Sequence, residues 1–256
     1  MSISNKLQNK EIIIGSWITL AHPGIAEIMA SSGFDWLAID LEHSTITIKE
    51  AEELIRVISL SNVTPLVRLT SNNEDQIKRV MDAGANGVIV PMIKTVDDVM
   101  RVVDAIKYPP QGKRGVGLAR AQGYGARFDE YLDWQKDNSV IIIQIEHIDA
   151  VNNLEALLAI DEVDGFIIGP YDLSASMGIP GQFDHADFIV VMKKINEIAS
   201  RTEVPSGIHI IEPDVEQIIR RIEDGYRFIA YSLDIRMLDV SCSNAVNTFS
   251  ELVGKK

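Results

Sequence analysis

The chain has little cysteine and no long apolar run, and each absence excludes a class of protein. Cys242 is the single cysteine among 256 residues, so neither an internal disulfide nor a thiolate zinc site is available. No apolar run approaches the roughly 18 residues that span a bilayer. The opening ten residues also lack the apolar stretch and small-residue cleavage site of a signal peptide. We therefore expect a cytoplasmic protein without a membrane segment.

Positive charge is also scarce. Lysine and arginine number 24 against 37 aspartate and glutamate residues, which gives a net charge of −13. Such a chain repels phosphate backbones, so we expect no nucleic-acid partner. An acidic protein that binds an acidic small molecule needs a local cation, and this directs attention to isolated arginines and to sites for a metal ion.

Eight stretches of β-branched and aliphatic residues predict strands, and segments with apolar residues at helical spacing lie between them. Near-continuous apolar strands that alternate with amphipathic helices indicate parallel strands covered on both faces. Eight such units in about 250 residues predict an α/β protein, a (β/α)8 TIM barrel formed as a single domain over residues 1–256. An open doubly wound sheet is the alternative. The predicted strands are 11–19, 34–40, 64–70, 86–92, 139–146, 163–170, 204–210 and 226–234.

Three catalytic devices are missing from this arrangement. The sequence has no glycine-rich phosphate loop of the Walker or dinucleotide type. It also has neither a serine elbow nor an activated cysteine for nucleophilic hydrolysis. The predicted strands contain no lysine for a Schiff-base aldolase, and Lys94, just after the fourth strand, is the nearest.

The stretch 107–137 is too long for a connection of about two to six residues between a strand and a helix. It carries Lys113, Arg114, Arg120 and Arg127, a concentration of positive charge in an acidic chain. We expect a long loop, which either contributes to substrate binding or is a solvated loop or oligomer contact.

Arg68 lies between Val67 and Leu69 in the third predicted strand. A buried guanidinium needs an anion nearby, because its desolvation costs several kcal/mol. That anion is either a carboxylate of the protein, in a buried salt bridge, or the carboxylate or enolate of a ligand. Substrates bind at the carboxyl ends of barrel strands, so the position favours the ligand.

Glu146 and Asp172 end consecutive predicted strands. Two converging carboxylates repel each other unless a proton or a cation lies between them. Carboxylates completed by water and substrate oxygens suit Mg²⁺ or Mn²⁺ better than zinc. The alternative is two separate solvated acids, with Asp172 acting only as part of a helix cap.

His43 follows two acids, Asp40 and Glu42, at the end of the second predicted strand. Either acid could orient the imidazole and raise its basicity, as a general base requires. The alternative is a structural histidine. His22, His147 and His209 also lie near strand ends and compete for the catalytic role.

Short motifs run nearly from end to end of the chain. They are Gly15-Ser16-Trp17, Asp40-x-Glu42-His43, Pro65-Leu66-Val67-Arg68, Asp82-Ala83-Gly84-Ala85, Val90-Pro91-Met92, Tyr108-Pro109-Pro110-x-Gly112-x-Arg114-Gly115, Arg120-Ala121-x-x-Tyr124-Gly125, Gln144-Ile145-Glu146 and Gly169-Pro170-x-Asp172-Leu173-Ser174. In this order and spacing they resemble the HpcH/HpaI aldolase family, the metal-dependent class II pyruvate aldolases of the phosphoenolpyruvate/pyruvate barrel type. Aldolases of 4-hydroxy-2-oxoheptanedioate and 2-dehydro-3-deoxyglucarate belong to this family.

The resemblance implies a metal-assisted reaction. Glu146 and Asp172 would bind a divalent metal ion that chelates pyruvate. Mg²⁺ is the expected ion, and Mn²⁺ or Co²⁺ are alternatives. Arg68 would stabilise the enolate. Both cations would then face the oxygen on which negative charge develops.

The resemblance also implies the groups that move the proton and hold the substrate. His43 would accept the proton, with Asp82 raising its basicity. Gln144 and the backbone of Tyr171 and Asp172 would hold the substrate carboxylate.

The implied reaction is reversible cleavage of a 4-hydroxy-2-oxo acid to pyruvate and an aldehyde. Two alternatives stay open: an oxaloacetate-type decarboxylase or condensing enzyme like the macrophomate synthases, and a non-catalytic ligand-binding barrel. A homo-oligomer, a hexamer or trimer of dimers, is expected, with the last helix (236–252) exchanged between subunits. Tyr171, His147 and the last strand depart from the family pattern and leave the aldehyde open.

Overall fold

The computed structural model describes residues 2–254 and contains a closed barrel of eight parallel strands in sequence order. Parallel pairing of the first strand with the eighth closes the sheet, which confirms the TIM barrel and excludes the open sheet. Every strand lies within its predicted range. The strands are β1 (Ile13–Ile18), β2 (Trp36–Asp40), β3 (Thr64–Arg68), β4 (Gly87–Val90), β5 (Val140–Ile145), β6 (Gly165–Ile168), β7 (Ser206–Ile210) and β8 (Phe228–Leu233).

The helices pack around the barrel, and two of the longer ones begin with capping boxes, Thr47 with Glu50 and Thr95 with Asp98. No helix within residues 2–254 is both long and apolar enough to cross a membrane. The helices are α1 (Ile3–Gln8), α2 (Pro23–Ser31), α3 (Ile48–Leu60), α4 (Glu74–Asp82), α5 (Val96–Ile106), α6 (Phe128–Asn138), α7 (Ile148–Asn152), α8 (Leu154–Leu158), α9 (Pro170–Ser176), α10 (Ala186–Ala199), α11 (Val215–Glu223) and α12 (Asp234–Leu252).

Helical spacing of apolar residues predicts α2–α5 and α10–α12, and it predicts one helix over 150–161 where the structure has α7 and α8. It does not predict α1, α6 and α9. The expectation of a long loop over 107–137 is therefore wrong in part, because α6 occupies its last third. In α6 only Tyr131 and Gln135 are buried, so no apolar stripe reveals the helix. The two others are short, with six and seven residues.

Two apolar layers hold the structure together, one inside the barrel and one between the barrel and its helices. The interior layer is tight. A Cβ atom built on Gly15 would lie 2.0 Å from the Trp36 ring, so glycine is required at that position. Side chains alternate along each strand, and the inward series of Trp36 and Ala38 continues to Asp40. The same alternation sends polar residues into the carboxyl-end opening of the barrel.

Part of the stretch 107–137 covers the opposite, amino-terminal end of the barrel. Arg114 donates from Nη2 to Asp82 Oδ1 at 2.5 Å, and Gln122 donates from Nε2 to the same oxygen at 3.2 Å. Asp82 ends α4, just before β4 begins. Arg114 therefore binds Asp82 at the amino-terminal end of the barrel, away from the carboxyl ends of the strands.

Candidate active site

A pocket of about 320 Å³ lies at the carboxyl end of the barrel, and we call it the barrel-mouth pocket. Trp17, Asp40, Arg68, Gln144 and His209 reach it from five different strands. His43, Tyr171 and Asp172 line it from the segments that follow β2 and β6. The position and the mixture of charged and apolar walls are typical of active sites in this fold.

Arg68 is held rigidly at one side of the barrel-mouth pocket. Its Nε and Nη2 donate to the two carboxylate oxygens of Asp40 at 2.9 and 2.6 Å, and its guanidinium carbon lies 4.4 Å from the centre of the Trp17 ring. Burial alone would raise the pKa of Asp40, but the hydrogen bonds and charge of Arg68 hold that pKa below its ordinary value. The sequence left open whether Arg68 pairs with a carboxylate of the protein or with a ligand, and the structure leaves room for both. The salt bridge is present, and within residues 2–254 Nη1 has no hydrogen-bond partner.

Glu146 directly follows β5, contacts the pocket-lining residue Gln144 and is only 2% exposed. One carboxylate oxygen accepts from the backbone N–H of Met92 at 2.6 Å, and the other accepts from Nε2 of Gln144. Burial raises the pKa of Glu146 against these two hydrogen bonds, and the negative charge of Asp172 raises it further. A Cβ atom on Gly169 would lie 3.0 Å from Glu146 Oε2, so glycine leaves that side of the carboxylate open.

The donor groups fit a hard cation whose coordination is completed by other oxygens. Within residues 2–254 no cluster of three or more His, Cys, Asp or Glu side chains is placed to hold a metal ion. The chain therefore supplies two carboxylates at most, Glu146 from β5 and the exposed Asp172 in the first turn of α9. Oε1 of Gln144 is buried with no partner beside them. Two carboxylates with open oxygen positions suit Mg²⁺ or Mn²⁺ and do not suit a structural zinc site.

Glu42 is a fourth acid of the site, which the sequence suggested only as a neighbour of His43. Its Oε2 is buried without a hydrogen-bond partner and lies 3.5 Å from Nε of Arg68. Burial raises the pKa of Glu42 to about 7; the charge of Arg68 opposes the rise, and Glu146, Asp40 and Asp172 add to it.

His43 lies at the rim, with 65% of its side chain exposed and Nε2 at 3.8 Å from Glu42 Oε2. Asp40 does not touch the imidazole; its Oδ1 instead accepts the backbone N–H groups of Glu42 and His43. Asp82 is at the other end of the barrel, about 15 Å of strand length away. Within one chain the structure does not bring Asp82 to His43.

A family comparison matches this arrangement. The model of the HpcH/HpaI aldolase/citrate lyase family covers residues 14–239, which include every residue of the site described above. The chain belongs to this family. Membership confirms the resemblance drawn from the motifs.

Relatives support the aldolase assignment over most of the chain. A hydroxypyruvate/pyruvate aldolase of Roseobacter denitrificans is 35% identical over 93% of this chain and 92% of its own length. A 2-keto-3-deoxy-L-rhamnonate aldolase of Escherichia coli is 34% identical over 90% of this chain and 85% of its own. The crystal structure of an HpcH/HpaI aldolase from Desulfitobacterium hafniense superposes with a TM-score of 0.89 at 30% identity, covering 100% and 99% of the two chains. These findings support an aldolase, a carbon–carbon lyase, as the activity of this chain.

The structure gives His209, Trp17 and Tyr171 contacts that the sequence did not predict. His209 points inward from β7, donates from Nε2 to the carbonyl of Ser232 at 3.2 Å, and packs edge-on against Trp17 at 5.6 Å between ring centres. Nε1 of Trp17 is buried without a partner. Tyr171 stands at the rim, 55% exposed, with its ring against Phe183 at 4.9 Å. Side chains point alternately into and out of the barrel along β1 and β7, and this alternation could have predicted that Trp17 and His209 point inward.

Proposed function

We propose that this chain is a metal-dependent aldolase that reversibly cleaves a 4-hydroxy-2-oxo acid into pyruvate and an aldehyde. The observation that carries the proposal is the unpartnered Nη1 of Arg68 in a pocket that Asp172 and Gln144 also line, where the Gln144 amide donates to the buried Glu146 carboxylate. A positive charge opposite two acids is the arrangement that a 2-oxo acid requires. The relatives named as pyruvate and 2-keto acid aldolases agree with this substrate class.

Glu146 and Asp172 are the groups that would hold the metal, with Mg²⁺ as the expected ion and Mn²⁺ or Co²⁺ as alternatives. A divalent ion supplies Lewis acidity to a bound keto oxygen. Glu146 is already oriented by Met92 and Gln144, so its carboxylate does not need to reorganise.

Arg68 stabilises the negative charge that develops on the oxygen of the enolate. Asp40 and Trp17 fix the guanidinium before substrate arrives, so the stabilisation needs no reorganisation during the reaction. Gln144 has one N–H committed to Glu146, and its second N–H and the backbone N–H groups of Tyr171 and Asp172 bind the substrate carboxylate.

His43 accepts the proton, and its exposed ring at the pocket rim is free to reach substrate. Because Asp82 of the same chain is at the opposite end, its proposed action on His43 requires a neighbouring copy, as in the expected homo-oligomer. Coexpression of His43→Ala and Asp82→Ala chains tests this. About a quarter of the sites then combine an intact His43 with an intact Asp82, and activity should return. Two inactive variants that stay inactive together would exclude a shared site.

The proposed function is tested by exchange of the pyruvate methyl protons with deuterated water, followed by NMR without any aldehyde. We expect exchange with added Mg²⁺ or Mn²⁺ and its loss with excess chelator. Exchange that persists after complete metal removal would contradict metal dependence. Pyruvate binding without exchange would favour the non-catalytic barrel.

The oxaloacetate-type decarboxylase or condensing enzyme shares the same enolate but differs in product. Incubation with oxaloacetate, with and without an aldehyde, separates the two activities. A condensed product formed from pyruvate and an aldehyde supports the aldolase, whereas carbon dioxide release from oxaloacetate as the main reaction supports the alternative. The named aldolase relatives favour the first outcome.

A further inference from the structure

The β7 side of the barrel-mouth pocket, across the barrel from Arg68 on β3, contains one histidine whose hydrogen position is defined. Nε2 of His209 lies 3.2 Å from the carbonyl oxygen of Ser232. A carbonyl only accepts hydrogen bonds, so Nε2 carries a hydrogen. Burial lowers the pKa of His209 to about 4, so the ring is neutral near pH 7 and Nδ1 keeps a lone pair. Within residues 2–254 Nδ1 has no hydrogen-bond partner, and the ring lines the pocket. The chain therefore presents a fixed hydrogen-bond acceptor to whatever occupies this side.

The surroundings of His209 are otherwise apolar or already satisfied. Ile211, Leu233 and Ile235 line the same side. The hydroxyl of Thr19 donates to Asp234 at 2.6 Å. Among the described residues that line this side none is a lysine or arginine, and Asp234 lies buried behind it. The charge of Arg68 reaches His209, but Arg68 is paired with Asp40, so a second carboxylate on the substrate would find no free cation on this side.

From this chemistry we infer that His209 Nδ1 accepts a hydrogen bond from a hydroxyl group on the aldehyde portion of the substrate. The preferred aldehyde is then a short, uncharged, hydroxylated one rather than a carboxylated or purely apolar one. The inference rests on the proposed function, because it assumes that the enolate forms on the Arg68 and Glu146 side. The remainder of the substrate must then extend across the pocket toward β7.

The acceptor is separable from the structural contact of the ring by two substitutions. His209→Gln places an amide nitrogen near the position of Nε2, so it keeps a donor to Ser232 and removes the acceptor. His209→Asn places an amide oxygen near the position of Nδ1, so it keeps an acceptor and loses the contact with Ser232. His185→Gln is the matched control, since His185 lies outside the pocket at the start of α10 and is partly exposed.

The experiment measures kcat/KM for condensation of pyruvate, with Mg²⁺ present, with 2-hydroxypropanal and with 2-methylpropanal, which carries a methyl group in place of the hydroxyl. Comparing the ratio of the two values among variants removes their difference in intrinsic reactivity. We expect His209→Gln to lower the ratio about tenfold, the range of one hydrogen bond. His209→Asn should retain part of the selection, and His185→Gln should match the wild type.

An unchanged ratio in His209→Gln would overturn the inference, as would a clear preference of the wild type for an aldehyde that carries a carboxylate. Proton exchange of pyruvate alone, measured on the same variants, should stay at the wild-type rate. If exchange fell in both His209→Gln and His209→Asn, His209 would act in enolate formation and the inference would be wrong. If the wild type itself showed no exchange with metal, the proposed function would fail instead.

Discussion

Two arginines at opposite ends of the barrel have the same kinds of partner but different access to solvent. Arg68, at the carboxyl end, pairs with Asp40 and lies on the face of Trp17. Arg114, at the amino end, pairs with Asp82 and lies 4.8 Å from the centre of the Tyr108 ring. An aspartate partner and an aromatic face therefore do not distinguish a functional arginine from a structural one.

The difference lies in access. The side chain of Arg114 is 0% exposed, its Nη1 donates to the hydroxyl of Tyr131 at 2.9 Å, and its unpartnered Nε is buried away from any ligand. Arg68 keeps 14% of its side chain exposed, and its Nη1 is unpartnered. An open hydrogen-bond valence beside a pocket, rather than a buried charge as such, marks a group available to a ligand.

Buried polar atoms without hydrogen-bond partners also differ in number between the two ends of the barrel. Among the described residues, such atoms occur on five side chains, and three of these, Trp17, Glu42 and Gln144, surround the barrel-mouth pocket. Polar groups that lack partners in the folded chain cost stability unless a ligand or water satisfies them. Their concentration at one end agrees with binding there.

The largest expected effect is the loss of turnover in Arg68→Lys. Lysine keeps a positive charge beside Asp40 but cannot form the fork or present a second nitrogen to the enolate. We expect kcat to fall about 10³-fold, as for loss of an oxyanion donor. The midpoint of urea unfolding should change little, whereas Arg68→Ala would also destabilise the fold by leaving Asp40 unpaired. A loss of folding in Arg68→Lys would make Arg68 structural like Arg114.

Arg114→Met should show the reverse pattern. Removing the guanidinium leaves Asp82 and Tyr131 without their partner, and we expect the free energy of unfolding to fall by about 3 kcal/mol. Urea denaturation followed by circular dichroism measures this. The decrease in kcat per folded molecule should be smaller than in Arg68→Lys. A stable but inactive Arg114→Met protein would break the comparison and place Arg114 in the catalytic machinery.

The pH dependence of stability sharpens the comparison further. Burial lowers the pKa of His209 to about 4, opposed by the bond to Ser232 and aided by the charge of Arg68. The folded chain therefore takes up this proton less readily than the unfolded chain. The contribution of His209 to the free energy of unfolding is present in full above the ordinary pKa of about 6.5 and is lost as the pH falls toward 4. Between pH 7 and 5 the wild type should lose about 2 kcal/mol more than His209→Gln. Equal losses would show that the ring accepts a proton freely.

Periodicity predicted the barrel because each strand is short, apolar and buried on both faces. It did not predict α6, whose stability comes from the contacts of Tyr131 and Gln135 and not from an apolar stripe. Strand ends also predicted Arg68, which lines the barrel-mouth pocket, and Glu146, which contacts Gln144 of its wall. The bidentate salt bridge between Asp40 and Arg68 was not predicted, although both residues end neighbouring strands and are paired in register.

The position of Asp82 could not be predicted from its motif. A motif gives the residue but not the end of the barrel that it occupies, and Asp82 ends a helix rather than a strand. His209 was one of several histidines near strand ends. Only the contact with Ser232 and the open pocket beside it distinguish His209 from the others.

The central claim is that Glu146 and Asp172 hold a common cation opposite the guanidinium of Arg68. The direct measurement is anomalous diffraction from crystals soaked with Mn²⁺ and pyruvate. The account predicts a manganese peak about 2.1–2.2 Å from one oxygen of each carboxylate, with pyruvate between the ion and Arg68. A peak elsewhere, or two carboxylates pointing apart with no ion between them, would contradict it.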